Sequence, residues 1–316
     1  MMIRTLLIIS ALALAALTIP AQNTPDRSTA FLKGPVKSVS STFIEFFSDE
    51  PKKTPPVLKG DTVIYDLNGF EIEHFVANDA GEFADREVHR RDESGRFITT
   101  EHYNSAGKLW AKEIFKYVDG KLSEKLAYDG ANVLNLRTSY RYDLEGRLLE
   151  ETYRDPTEVR GRTHYTYSGS SPHPGEIKFV DQDGKKMTAP LGPCAGAHRI
   201  TFSYDDEDRV STKVLFDQRN KEQERFTHRY LPSGLYEQLI RKKTNERVVH
   251  SYEYRFDSHG NWIEETITRK WEGFTPSHPG NLSDPTERFG NPLGQLRLFE
   301  RLRTVKTVTT RKIEYY

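Results

Sequence analysis

The sequence predicts an all-β protein: an antiparallel β-hairpin meander of short repeats that forms an elongated or coiled sheet. Three observations support this fold class. A turn signal, Asp or Asn with Gly three positions later, recurs along the chain. Between these turns, aromatic and aliphatic residues alternate with polar ones, as in half-buried strands. After the first 21 residues, we find no apolar repeat with a helical period.

Residues 1–21 are expected to be a secretory signal peptide. Arg4 supplies the positive charge, residues 6–19 are an uncharged run that is apolar except for Ser10 and Thr18, and Ala21 is a plausible cleavage residue. The alternative is an uncleaved membrane anchor, but a spanning helix needs about 18 or more apolar residues. Cys194 is the only cysteine, so a secreted form has no internal disulfide. These features predict a secreted or periplasmic protein of a bacterial envelope.

The rest of the chain divides into two parts. Residues 22–60 are predicted to hold a first strand and a Pro-rich linker, and residues 61–316 the repeat array. The final stretch, "RTVKTVTTRKIEYY", alternates well and is predicted to be a closing strand that protects the sheet edge. Loop insertions are expected at 154–162, 168–176, 185–198 and 271–295.

Each residue type of the turn signal has a local role. Asp or Asn at the first position accepts a hydrogen bond from the backbone two residues on, and Gly at the fourth position takes a positive φ. From Gly69 to Gly146 the glycines are 10 to 16 residues apart, which leaves one ordinary strand between turns. Full signals stand at 66–69, 78–81, 92–95, 104–107, 143–146, 181–184 and 257–260. Shortened ones stand at 119–120 and 129–130, and degenerate ones at 205–208 and 231–234.

The phrase "YDLEGRL" at residues 142–148 resembles the YD repeat of the Rhs and teneurin families. A variant, "RFDSHGNWIEE", stands at residues 255–265. The resemblance covers roughly residues 63–269 and implies a strand-and-hairpin array in a short secreted bacterial form. Long arrays of these families coil into shells that enclose a toxin, whereas this chain has about ten units.

Composition excludes several function classes. Lys plus Arg and Asp plus Glu both number 46, so no charge excess favours a nucleic-acid partner. The phosphate-binding glycine loops, the Gly-x-Ser-x-Gly elbow and the His-Glu-x-x-His motif are absent from the sequence. We therefore predict no cofactor and no catalytic residue. The ten histidines are scattered without a His-x-His pair, and no metal site is predicted, although distant histidines can still converge.

Three local signals have a chemical and a plain interpretation. "VDQDGKK" at 180–186 resembles part of a calcium loop, but its acids stop at Asp183, so we interpret it as a hairpin turn. "DDED" at 205–208 is interpreted as an acidic turn. Cys194 with His198 four residues later is either a nucleophile with its base or an incidental thiol, and we favour the thiol.

Aromatic residues are the best candidates for ligand binding. Exposed aromatic rows in secreted β-proteins stack on sugars or on partner side chains. The alternative is cross-strand aromatic pairing that stabilises the sheet. The candidate ligand-binding residues are Trp110, Trp262, Trp271, Tyr140 and Tyr142.

These observations predict a non-enzymatic binding or scaffold protein of the bacterial envelope. Its expected partner is an envelope glycan or protein, with no nucleic acid and no membrane span after signal cleavage. One alternative is a hydrolase-like enzyme with a site in the loop insertions at 185–198 and 271–295. Another is a structural partner of a toxin or secretion system.

Overall fold

A computed structural model describes residues 26–47, 57–78, 82–189, 194–244, 246–272 and 304–316. The expected signal peptide, most of the Pro-rich linker and nearly all of the 271–295 insertion lie outside these ranges. No helix in the described ranges is long and apolar enough to cross a membrane.

The described chain contains one short helix and 18 strands. They are α1 (Asp26–Thr29), β1 (Val36–Phe47), β2 (Leu58–Tyr65), β3 (Glu71–Ala77), β4 (Phe83–Arg91), β5 (Phe97–Asn104), β6 (Leu109–Val118), β7 (Lys121–Asp129), β8 (Leu134–Tyr142), β9 (Leu148–Arg154), β10 (Val159–Tyr167), β11 (Pro174–Val180), β12 (Arg199–Tyr204), β13 (Val210–Phe216), β14 (Glu222–Tyr230), β15 (Tyr236–Lys243), β16 (Glu246–Phe256), β17 (Trp262–Glu272) and β18 (Thr304–Tyr315).

The 18 strands form one antiparallel meander that closes into a barrel. Each strand pairs with the next along the chain, and β18 also pairs with β1, from Val36–Tyr315 to Phe47–Val305. The all-β hairpin meander and the closing strand are confirmed. The elongated or coiled sheet is wrong, because β1 and β18 saturate each other's backbone groups and leave neither sheet edge free.

The predicted turns within the described ranges form with the expected chemistry, and most of the one at 78–81 lies outside those ranges. Asp92 Oδ1 accepts hydrogen bonds from the amides of Ser94 and Arg96, both at 2.9 Å, and Gly95 has φ +79°. One shortened signal needs correction. In the turn that begins at Asp129, the left-handed residue is Asn132 (φ 63°) rather than Gly130. The sequence analysis also missed a turn at 217–220, where Asn220 takes the left-handed conformation (φ 61°).

Two turn glycines provide a matched test of the turn chemistry. We expect Gly107→Ala (φ +72°, open space around a Cβ) to destabilise the protein by roughly 1–2 kcal/mol, the cost of a left-handed L-residue. A Cβ on Gly95 would lie 2.3 Å from the Phe70 ring. Gly95→Ala should therefore cost about 1–3 kcal/mol more, from overpacking. Urea unfolding of both variants checks this, and equal losses would contradict the close packing at Gly95.

The Tyr and Arg of the repeat phrase connect neighbouring hairpins. Arg147 Nε donates to Asp143 Oδ2 (2.6 Å), while its guanidinium lies 4.8 Å from the centre of the Tyr167 ring. The Tyr167 hydroxyl donates to the carbonyl of Leu148 (2.8 Å). The same arrangement joins Arg209, Asp205, Tyr230 and Val210. In these two copies the phrase therefore makes one turn and also anchors the next hairpin.

The first two expected insertions are shorter than predicted. β9 runs to Arg154 and β10 starts at Val159, so only 155–158 forms a turn. Asp155 Oδ1 accepts hydrogen bonds from the amides of Thr157 (2.8 Å) and Glu158 (2.9 Å), which closes this turn tightly. The segment 168–176 likewise contains the start of β11, at Pro174.

One face of the barrel wall carries two apolar clusters. Its main cluster contains Leu148, Ile177 and Ile200, and residues 194–197 of the 185–198 insertion fold against it through Cys194 and Ala197. A second cluster contains Leu32, Val36, Val39 and Tyr65, beside the N-terminal segment 26–35. We call the face that carries these clusters the inner face and the opposite one the outer face.

The N-terminal segment joins two distant parts of one barrel end. The Asp26 carboxylate accepts hydrogen bonds from the Glu71 amide (2.6 Å) and from Arg91 (2.7 Å), on β3 and β4. The Lys33 amide donates to Asn261 Oδ1 (2.5 Å), in the turn between β16 and β17. Asn261 is fully buried. The segment thus lies across the start of β1.

Candidate functional site

The inner face of β2 to β5 concentrates carboxylates and imidazoles. Asp85, Glu87 and His89 are two residues apart on β4, which places them on one face of the strand. Cross-strand pairing sets Glu87 opposite both His74 on β3 and His102 on β5. We call this group the acid–histidine belt: Asp61, Glu71, His74, Asp85, Glu87, His89 and His102.

Acids and imidazoles alternate through the belt. His74 Nε2 lies 3.3 Å from Asp61 Oδ2, and its Nδ1 lies 3.4 Å from Glu71 Oε1. The same Glu71 oxygen is 3.3 Å from His89 Nε2, so Glu71 connects two histidines. His89 Nδ1 is held by the Thr100 hydroxyl at 3.0 Å.

His102 occupies the most strongly anionic position of the belt. Its Nδ1 lies 3.5 Å from Glu87 Oε1 and 3.9 Å from Asp85 Oδ2, and its side chain is 9% exposed. Burial alone would lower the pKa of His102, but the two carboxylates outweigh that effect and raise the pKa to about 9. The position therefore favours positive charge at neutral pH.

A row of neighbouring aromatic rings lies on the inner face of β14 to β16. Ring centres are 5.1 Å apart for Tyr230 and Tyr236, and 5.6 Å apart for Tyr236 and Tyr252. Tyr254 follows Tyr252 on the same face of β16. We call these four tyrosines the tyrosine ladder. Tyr236 is 37% exposed, so the ladder is open at that ring.

Two neutral histidines, His228 and His250, lie on the strands that carry the ladder. Burial, with the nearby charge of Lys213, lowers the pKa of His228 to about 4. Burial, with Arg269 and Arg241, lowers the pKa of His250 to about 4 as well. Within the described ranges, neither ring nitrogen of His228 has a hydrogen-bond partner. His228 is therefore a neutral imidazole whose two buried nitrogens, one donor and one acceptor, are unused.

A third inner group is built from buried charges. Lys125 Nζ lies 2.8 Å from Glu113 Oε1, and both side chains are 6% exposed. Glu151 accepts hydrogen bonds from the hydroxyls of Tyr153 and Tyr165. Because these groups are enclosed and satisfied, we assign them to the structure of the barrel.

Four of the five predicted ligand-binding aromatics lie in or beside these inner groups, and Trp271 lies apart from them on β17. Trp110 donates to Asp85 Oδ1 (3.1 Å) at the belt, and Trp262 packs against Tyr254 and under Arg311. Trp271 donates to Glu246 Oε1 (3.1 Å). Burial near Glu151 raises the pKa of Tyr140 well above its usual value, and the Tyr142 hydroxyl donates to the Leu122 carbonyl (2.9 Å). Their part in ligand binding stays a prediction.

The three chemical alternatives weighed from the sequence gain no support. Burial raises the pKa of the Cys194 thiol, and His198 uses Nδ1 on the Met187 carbonyl (3.0 Å), so the thiol stays protonated. Asp181 Oδ1 accepts hydrogen bonds from the amides of Asp183 and Lys185, which makes 181–184 a hairpin turn. Asp205 likewise binds the Arg209 backbone and side chain in its turn.

Sequence reasoning missed the belt, the role of His228 and the ladder tyrosines Tyr230 and Tyr236. The histidines of the belt come from three strands, and no local motif connects them. One usable signal was present: "DREVH" at 85–89 puts two acids and a histidine on one face of a predicted strand.

Comparisons with known proteins give only distant likeness. No protein-family model and no curated protein matches the sequence. A solved porin-like protein from Bacteroides uniformis is similar, with 12% identity and a TM-score of 0.40, over 89% of this chain and 98% of that one. A structure of TcdB2-TccC3-TEV is similar over 73% of this chain and 14% of its own length, with 13% identity and a TM-score of 0.31. The YD-repeat identification stays a prediction.

Proposed function

We propose that the protein is a secreted, non-enzymatic binding protein of the bacterial envelope whose ligand is a glycan held on the tyrosine ladder. The observation that carries this proposal is a row of neighbouring tyrosine rings, open at Tyr236, beside a histidine with two unused nitrogens.

The ladder and His228 supply the two kinds of contact that a sugar needs. Tyrosine faces provide an apolar surface for the C–H side of a sugar ring, and their hydroxyls provide a polar edge. The His228 ring centre lies 5.6 Å from that of Tyr236, which is within the size of one sugar unit. Both His228 nitrogens are buried, so a sugar hydroxyl reaches them only after a side-chain movement. A neutral imidazole donates from one nitrogen and accepts at the other, which matches a sugar hydroxyl.

The outer face suits water rather than lipid. A barrel embedded in a bilayer needs an apolar outer band about 25 Å tall. Here cross-strand ion pairs recur around the outer face. Examples are Lys116–Glu124 (2.7 Å), Arg199–Glu176 (3.0 Å) and Arg255–Glu264 (3.0 Å). We therefore place the working barrel in the periplasm or outside the cell, without a membrane span.

A binding screen tests this function. The protein, purified without detergent, is screened against peptidoglycan fragments and other envelope glycans. Loss of one stacking contact weakens binding by roughly 0.5–1.5 kcal/mol. We therefore expect Tyr236→Ala to weaken binding roughly three- to tenfold. We expect a similar loss for His228→Phe, from its hydrogen bonds to the sugar.

The matched control is Tyr103→Ala, which removes an outer-face tyrosine that donates to Glu101 (2.7 Å). It should leave the affinity unchanged. Two results would overturn the proposal: full affinity in the Tyr236→Ala/His228→Phe double variant, or a barrel that stays dispersed only in detergent.

A further inference from the structure

We propose that Asp85, Glu87 and His102 bind a divalent transition-metal ion on the inner face of the barrel. This site goes beyond the proposed glycan binding and lies on different strands from the ladder. One donor atom from each of the three side chains can be chosen so that all lie within 4.8 Å of one another.

The spacing of the donor atoms suits one shared ion. His102 Nδ1 lies 3.5 Å from Glu87 Oε1 and 3.9 Å from Asp85 Oδ2. Direct charge-assisted hydrogen bonds are shorter, at about 2.7–2.9 Å. Two ligand bonds of roughly 2.1 Å at a tetrahedral angle separate their donor atoms by about 3.4 Å. Small side-chain movements would bring all three donors onto one ion.

The histidine of the site is enclosed. His102 is more than nine-tenths buried, and within the described residues its Nε2 has no hydrogen-bond partner. Nδ1, on the other side of the ring, faces the two carboxylates and is the nitrogen that we assign as the ligand atom.

Surrounding groups already orient the ligands, as the outer partners of metal ligands do. Asp85 Oδ1 accepts hydrogen bonds from the Trp110 indole (3.1 Å) and the Arg86 amide (2.9 Å), which leaves Oδ2 facing His102. Glu87 Oε2 faces His89 Nε2 at 3.8 Å, which leaves Oε1 for the site. Thr100 in turn holds His89 through Nδ1.

The donor set selects the class of ion. Calcium and magnesium prefer sites made wholly of oxygen. One imidazole with two carboxylates suits zinc, manganese or iron, and the two negative charges balance a dication. Zinc is the probe of choice because it takes mixed nitrogen and oxygen ligands without redox chemistry.

The test is equilibrium binding of Zn²⁺ to the chelator-treated full protein, followed by calorimetry and metal analysis. We expect one zinc per chain, with affinity reduced about a hundredfold or more in Asp85→Asn and His102→Gln. Asp85→Asn keeps an Oδ1 acceptor for Trp110, so we expect this variant to fold. Its zinc affinity therefore tests the site if His102→Gln does not fold. His164→Gln is the control, because His164 lies on the outer face beside Glu150 (3.4 Å).

Two outcomes would overturn the proposal: no stoichiometric zinc in the wild type, or undiminished zinc affinity in Asp85→Asn. Glycan binding by Asp85→Asn, measured in parallel, should be unchanged. Failure of the metal site can therefore be told apart from failure of the proposed function.

Discussion

A disulfide between positions 42 and 310 is expected to form and to raise the free energy of unfolding by about 5 kcal/mol. Thr42 on β1 and Thr310 on β18 are direct Cα partners across the junction that closes the barrel. The bond would enclose nearly the whole chain, and the loop-entropy gain grows with the length enclosed. The Thr42→Cys/Thr310→Cys variant is made in a Cys194→Ser background. Non-reducing electrophoresis and urea unfolding, oxidised against reduced, measure the effect.

Two further cysteine pairs serve as controls that link disulfide formation at 42 and 310 to the closure of the barrel. Glu264 also pairs with Thr310, on the side away from β1, so it lies two strands from Thr42. Two strand spacings are about 9.5 Å, beyond the roughly 7 Å that a disulfide spans. Thr42→Cys/Glu264→Cys should stay reduced. Ser139→Cys/Thr152→Cys joins direct partners on β8 and β9 and should form, with a gain of about 3 kcal/mol for its short loop. If that pair forms while 42 and 310 stay reduced, the barrel is open.

The closure of the barrel could not be predicted from local sequence signals. The turns could be predicted because Asp143 and Gly146 determine their geometry within four residues. The last strand could be recognised as a closing strand from its alternation. Its partner could not, because the pairing of Phe43 with Thr309 joins opposite ends of the chain. Such contacts depend on the accumulated twist and stagger of all the intervening strands.

The candidate sites likewise have features that local sequence predicts and features that depend on the closed sheet. Alternation predicts that Asp85, Glu87 and His89 share a face, and that Tyr252 and Tyr254 do as well. Which face turns inward is a property of the closed sheet. Which residues meet across strands depends on turn length and bulges, such as the register shift between His102 and Tyr103. The contact between Trp110 and Asp85 follows from that register and could not be predicted from either segment alone.

Lys125→Met is expected to lower the free energy of unfolding by about 3–5 kcal/mol, because it leaves Glu113 as an unpaired buried charge. The pair is 2.8 Å apart, and both side chains are 6% exposed. The same two strands carry a matched outer pair, Lys116–Glu124, in which Lys116 is 53% exposed. Lys116→Met should cost only about 0–1 kcal/mol. Urea unfolding at pH 7 compares the two variants.

Removing both charges separates the loss of the pair from the penalty of leaving one charge behind. Glu113→Gln/Lys125→Met should recover most of the lost stability, since a buried pair contributes little net free energy against neutral replacements. Glu151 gives unfolding a separate pH dependence: burial raises its folded-state pKa, so the folded protein binds the proton more tightly than the unfolded chain, and stability rises as pH falls from that pKa toward 4.5. Urea unfolding of the wild type across that range measures this effect. A Lys125→Met defect that is equally large in the double variant would show that Lys125 acts by packing rather than by charge.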